Sequence, residues 1–239
     1  MPALDFKIPK GFWEMKYKAV KFLIIGIMTV ALAGLFWHGL NHPGWMERRL
    51  AAPGENLSPV ESIPPEQRQA PDLIVLGARL EVSRGTIYDA SYQQLAYPGG
   101  DVPLGRGACT DVIVRAMRNA GLDLQVLIHE DMATSFSSYP QLWGLKKPDR
   151  NIDHRRIPNL ICFFKRHGRT LSNQVEGNLD EWQWGDIVIW RFSNGLLHCG
   201  VISDRKNGAG MPLVIHNCNI AREQDILTYW EIIGHYRYP

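Results

Sequence analysis

One cysteine at a loop-to-helix junction and two histidines in short apolar runs carry the reactive chemistry of this sequence. Cys109 follows Gly105-Arg106-Gly107-Ala108 and opens a run with Val112, Ile113, Ala116, Met117 and Ala120 at helical spacing, closed by Gly121. In the first turn of a helix a cysteine meets unpaired backbone N–H groups and the positive end of the helix dipole, and both favour thiolate over thiol. His198 lies within 196–202 and His216 within 212–217, 18 positions apart. A thiolate, an imidazole to pair with it and protonate a leaving amine, and a third group to orient that imidazole make a cysteine hydrolase. These requirements suit Cys109 as nucleophile, His198 as base and His216 as orienter. Asn217 is the alternative orienter, although strand alternation turns it to the opposite face from His216. His198, Cys199, His216 and Cys218 also form a zinc-type set, but neighbours on a strand point apart, so no metal or other cofactor is expected.

The elements that must position these residues change character along the chain. Leu73, Ile74, Leu76, Leu80 and Val82 predict a first helix with Arg79 and Arg84 on its wet side and Gly85 ending it. Pro98-Gly99-Gly100-Asp101 is a turn that delivers the chain to the Cys109 helix, and Leu122 to Leu145 reads as another helix followed by irregular chain. Ile157 to His167 is a further helix burying Leu160, Ile161, Phe163 and Phe164. From Trp182 onward the apolar period becomes two: 187–192, 197–203, 213–217 and 232–238 read as strands joined by tight turns. Helices followed by sequential strands predict an α+β fold with an antiparallel sheet. Between them, Asn151 to Arg156 is polar and cation-rich. Arg155 and Arg156 there form either a solvated helix flank or a wall that reads carboxylates beside the cleft.

Residues 22–40 carry no formal charge and are long enough to cross a hydrocarbon layer of ~30 Å. Five lysines against Asp5 and Glu14 precede them, which keeps residues 1–21 cytoplasmic under the positive-inside rule and exports the chain beyond residue 40. A cleaved signal peptide ending near Ala31-Leu32-Ala33 is the rival reading. The stretch 41–71 holds six prolines and reads as an extended tether, so the domain proper is 72–239. Of the chain's net charge of +2, residues 1–40 supply +3, leaving −1 for residues 41–239. A nearly neutral exported part argues against nucleic acid as a partner. Cys109, Cys162, Cys199 and Cys218 are expected to leave one thiol free for chemistry and three mostly buried, with a Cys199–Cys218 bridge as the alternative.

Several motifs, taken in order, resemble the NlpC-type, papain-like cell-wall cysteine peptidases. They are Tyr97-Pro98-Gly99-Gly100, Cys109-Thr110-Asp111-Val112, Trp184-Gly185-Asp186-Ile187-Val188, His198-Cys199-Gly200-Val201-Ile202 and Val214-Ile215-His216. Tyr88-Asp89, Asp101-Val102-Pro103, Asn151 to Arg156 and Gly234-His235-Tyr236-Arg237-Tyr238 look more closely like a bacterial domain-of-unknown-function family within that superfamily. The resemblance covers roughly 72–239. It implies the same triad, an oxyanion hole built partly from the Cys109 N–H, and a further hydrogen bond from Tyr97. Thr110-Asp111 replaces the usual Ser-Gly and brings the Asp111 carboxylate near the thiolate. The implied activity is hydrolysis of amide bonds in peptidoglycan peptides through a thioester, by a domain anchored to the bacterial inner membrane through residues 22–40. An idle wall-binding module that reads peptides through Arg155 and Arg156, or a thiol acyltransferase, would use the same parts.

Overall fold

A computed structural model describes residues 58–239. The apolar segment 22–40, its basic flank and the residues up to 57 lie outside the described residues. Among the described residues, no helix is long and apolar enough to cross a membrane.

The helices are α1 (Pro59–Ser62), α2 (Ala70–Ser83), α3 (Cys109–Asn119), α4 (Leu124–Ser135) and α5 (Ile157–His167). The strands are β1 (Ile87–Tyr88), β2 (Arg106–Gly107), β3 (Arg169–Thr170), β4 (Ile187–Arg191), β5 (Leu197–Lys206), β6 (Pro212–Asn217), β7 (Ala221–Gln224) and β8 (Glu231–Arg237). Six strands form one sheet in the order β3-β8-β4-β5-β6-β7, antiparallel throughout, while β1 and β2 make a separate short parallel pair. The architecture is α+β, as the switch in apolar period predicts.

Both faces of the sheet are buried, and alternation sorts its side chains between two cores. Ile187, Ile189, Cys199, Val201, Ile215 and Tyr236 join residues of α2, α3, α4 and α5. Val188, Trp190, Ile202 and Val214 form a second cluster with Trp182 and Leu227 on the other face, where the Trp190 indole donates to the Leu227 carbonyl at 2.9 Å. Helices α2 and α3 approach closely because Gly77 has no side chain: a Cβ there would lie 2.6 Å from Asn119 Cβ and 2.9 Å from Ala116 Cα.

Three expectations change. The packed body includes residues that the proline content assigns to a tether, for Val60 is fully buried and Ser58 donates to the Asp204 carboxylate. Arg79 is not on a wet face: its side chain is 13 % exposed and is paired with Asp204, Glu223 and Glu61, which ties α2 to the far end of the sheet. All four cysteines are free thiols, without the alternative Cys199–Cys218 bridge, but of the three expected to be mostly buried only Cys199 is fully so: Cys162 is half-buried and Cys218 is exposed.

Candidate active site

The frame around Cys109 is set by the residues on either side of it. In the β1–β2 pair Tyr88 lies beside Gly107, two residues ahead of Cys109. A Cβ on Gly107 would meet Asp111 Cβ at 2.8 Å, so only glycine lets the loop fold this tightly against the first turn of α3. Asp111 then bends back to accept the Ala108 N–H at 2.6 Å, the reverse half of a capping box. Arg155 grips the same carboxylate, donating from Nε to Oδ1 and from Nη2 to Oδ2. Its remaining donors reach the carbonyls of Ser91 and Asp89. Thr110 closes the arrangement by donating to the Arg155 carbonyl at 3.1 Å.

Asn217 braces the frame from the sheet side. Its Nδ2 donates to the carbonyls of Gly107 at 2.9 Å and Thr86 at 3.2 Å. It therefore faces the helices, opposite to His216, as alternation along β6 requires, and it orients no imidazole.

Cys109, His198 and His216 are each only 3–4 % exposed. The Cys109 pKa is drawn well below the usual thiol range. The first cause is the Cys199 thiol, which hydrogen-bonds the sulfur; burial opposes this, and the His198 imidazole and the Cys199 N–H add to the lowering. The partner thiol moves the other way: burial and the neighbouring Cys109 push Cys199 well up, so it remains the protonated donor of the pair. Although alternation separates His198 from Cys199 on β5, the start of α3 lies where both act on one sulfur.

The two histidines are joined directly, with His198 Nε2 2.9 Å from His216 Nδ1. His216 Nε2 in turn lies 3.0 Å from Gln224 Oε1 on β7. Aromatic rings enclose the pair. Trp190 stacks beside His198 at 5.7 Å between centroids, Phe192 tilts over it at 5.3 Å and Trp230 stands edge-on to both histidines. In that apolar setting burial, then the neighbouring His198, lowers the His216 pKa to about 4, so it is neutral near pH 7.

Tyr88 completes the group. Its pKa is raised to about 12, by partial burial of the phenol first and then by the negative charge of Cys109, so the phenol stays protonated near pH 7. Cys218, largely exposed, is raised by the partial burial of its thiol and then by the neighbouring Cys109.

The structure thus brings together Cys109, His198 and His216 and uses Asp111, Arg155 and Asn217 as framework. Arg155, 2 % exposed at its side chain and committed to Asp111, is not a carboxylate-reading wall. Asp111 is paired with that guanidinium, although its charge still adds to the raising of the neighbouring Cys199 thiol and Tyr88 phenol. Arg156 pairs with Asp153 and lies 4.0 Å over the Trp143 ring, lining a small separate cavity with Asn159 and Phe136. Tyr97 packs against the His129 ring and under Arg150. Sequence reasoning missed Tyr88, Cys199 and Gln224 as parts of the site. The Tyr88-Asp89 pair and the cysteine next to His198 were visible signals, whereas β7 offers no apolar alternation that would mark Gln224.

Comparison with known proteins covers most of the described residues. A curated relative from Escherichia coli (strain K12), the uncharacterized protein YijF, is 53% identical over 163 residues, covering 68% of this chain and 78% of the relative. No solved structure gives a significant match. Residues 75–238, a span holding every residue of the site, match the family model described as "Domain of unknown function (DUF1287)", and the chain belongs to that family.

Proposed function

We propose that this chain is a papain-like cysteine hydrolase of the NlpC type, cleaving amide bonds in peptidoglycan peptides through a thioester and without a metal. The observation that carries the reading is the run of groups from the buried, low-pKa Cys109 through His198 to His216. Residues 22–40 would anchor the domain to the bacterial inner membrane and place it on the outer side. The near-neutral charge of residues 41–239 suits a wall substrate better than nucleic acid.

The chemistry derives from the pairing. The Cys109 thiolate attacks the amide carbonyl carbon, and the developing oxyanion meets the Cys109 N–H at the start of α3 together with the Tyr88 phenol. His198 passes its proton to the departing nitrogen as the C–N bond breaks, leaving a thioester on Cys109. The neutral His198 then takes a proton from water, whose oxygen attacks the thioester carbonyl. Collapse releases the acid and restores the thiolate and imidazolium. His216 holds the His198 ring in line during both transfers. A binding module that reads wall peptides through Arg155 and Arg156 has less support, because Arg155 is spent on Asp111 and Arg156 is paired with Asp153 and packed over Trp143.

Incubating the full chain with purified cell wall is the direct test. Soluble peptide fragments bearing new carboxyl and amino ends should appear, and Cys109→Ala should release none. Equal release by the two proteins would remove the hydrolase reading.

A further inference from the structure

We propose that Gln224, acting through His216, selects which nitrogen of His198 exchanges a proton with Cys109. The inference rests on the hydrolase reading above and adds a fourth, positioning member to its relay. It starts from register: Val214 pairs with Gln224 and His216 with Arg222, so Gln224 is the diagonal neighbour of His216 on the same face. The side chains meet at 3.0 Å, Oε1 to Nε2.

An amide oxygen only accepts, so the hydrogen between these atoms belongs to His216 Nε2. A neutral imidazole carries one N–H, and His216 is neutral in its aromatic surroundings. Its Nδ1 is therefore a lone pair, and the hydrogen on the 2.9 Å link belongs to His198 Nε2. That leaves Nδ1 of His198 as the nitrogen that gives a proton to the leaving amine or takes one from water. One amide on the edge strand thereby sets the proton order of two buried rings. The groups bearing on the pair are Cys109 from α3, Trp190 and Phe192 at the end of β4, Trp230 ahead of β8, and Arg222 of β7, whose positive charge disfavours protonation of His216.

The test uses the full chain labelled with ¹⁵N-histidine, in which ring-nitrogen shifts report where each proton sits. The wild type should show His216 as the Nε2–H tautomer near pH 7. Gln224→Met removes the acceptor at nearly constant volume and should redistribute that proton. It should also slow wall-peptide release roughly tenfold, the worth of about one hydrogen bond in the reaction's barrier. Gln224→Glu keeps an acceptor and should restore the Nε2–H form and most of the rate. An Nδ1–H tautomer in the wild type would overturn the proposal, as would a Gln224→Met protein with unchanged tautomer or a rate within twofold of wild type. The two readings fail separately. If the tautomer responds but neither protein releases fragments, the hydrolase reading falls; if the wild type releases fragments but Gln224→Met changes nothing, only the role of Gln224 falls.

Discussion

Both oxygens of the Asp111 carboxylate are held by one guanidinium, Arg155 Nε at 2.8 Å from Oδ1 and Nη2 at 2.9 Å from Oδ2. The pair is buried, and it fastens the 89–91 loop to the turn that presents Cys109. A buried pair of this kind is costly to break from one side, because the remaining charge is left without a partner.

Arg155→Met should accordingly destabilise the protein by about 3–5 kcal/mol, read as a clear fall in the urea unfolding midpoint. A substrate-reading arginine would behave differently, raising KM while leaving the unfolding midpoint in place. Observing that second pattern would return Arg155 to the binding surface.

Tyr88 offers a cleaner separation of framework from chemistry. It is 43 % exposed, so Tyr88→Phe should leave folding within about 0.5 kcal/mol of wild type. If its phenol stabilises the oxyanion, kcat for wall-peptide release should drop by ~10²-fold with KM little changed. An unchanged kcat would assign the oxyanion to other donors.

Acid should weaken the fold through two histidines. His154, by burial and then by the Arg155 charge, and His216, by burial and then by His198, both have pKa values lowered to about 4 from an ordinary 6.5. Each favours the unfolded chain as a proton acceptor below pH 6.5. The stability they leave intact above that pH is therefore lost as pH falls toward 4, at up to about 1.4 kcal/mol per pH unit for each. Urea unfolding of the full chain from pH 7.5 to 4.5 should show this decline, and His154→Gln should make it shallower. Equal slopes in the two proteins would show that His154 does not contribute.

Much of this architecture is legible from residue order alone, and the reasons are local. The 3.6-residue spacing of Val112, Ile113, Ala116 and Met117 marks α3, and the glycines before Cys109 mark the turn that feeds it. Alternation marks β4, β5, β6 and β8 and sends His216 and Asn217 to opposite faces. What escapes is everything decided by tertiary pairing. Arg79 looks solvent-facing because its carboxylate partners, Asp204 and Glu223, are more than 120 positions away in sequence. Tyr97 has the motif spacing of a site residue, yet its ring is taken by His129 and Arg150, while the short β1–β2 pairing sets Tyr88 beside Gly107, where it feels the charge of Cys109. Gln224 sits on a four-residue strand, too short to carry a period.

The His198–His216–Gln224 chain is spread over three neighbouring strands, so it depends on alignment as much as on residue type. Gly200 lies opposite His216, and His216 opposite Arg222. Sliding β6 by a single residue, ~3.3 Å, would invert it, sending His216 toward the helices and an asparagine or isoleucine toward the indole rings. The protein would keep its composition and nearly all its ladder, yet lose the run from Cys109 to Gln224 on which the proposed hydrolysis rests, which makes that proposal a matter of phase between strands as well as of residue type.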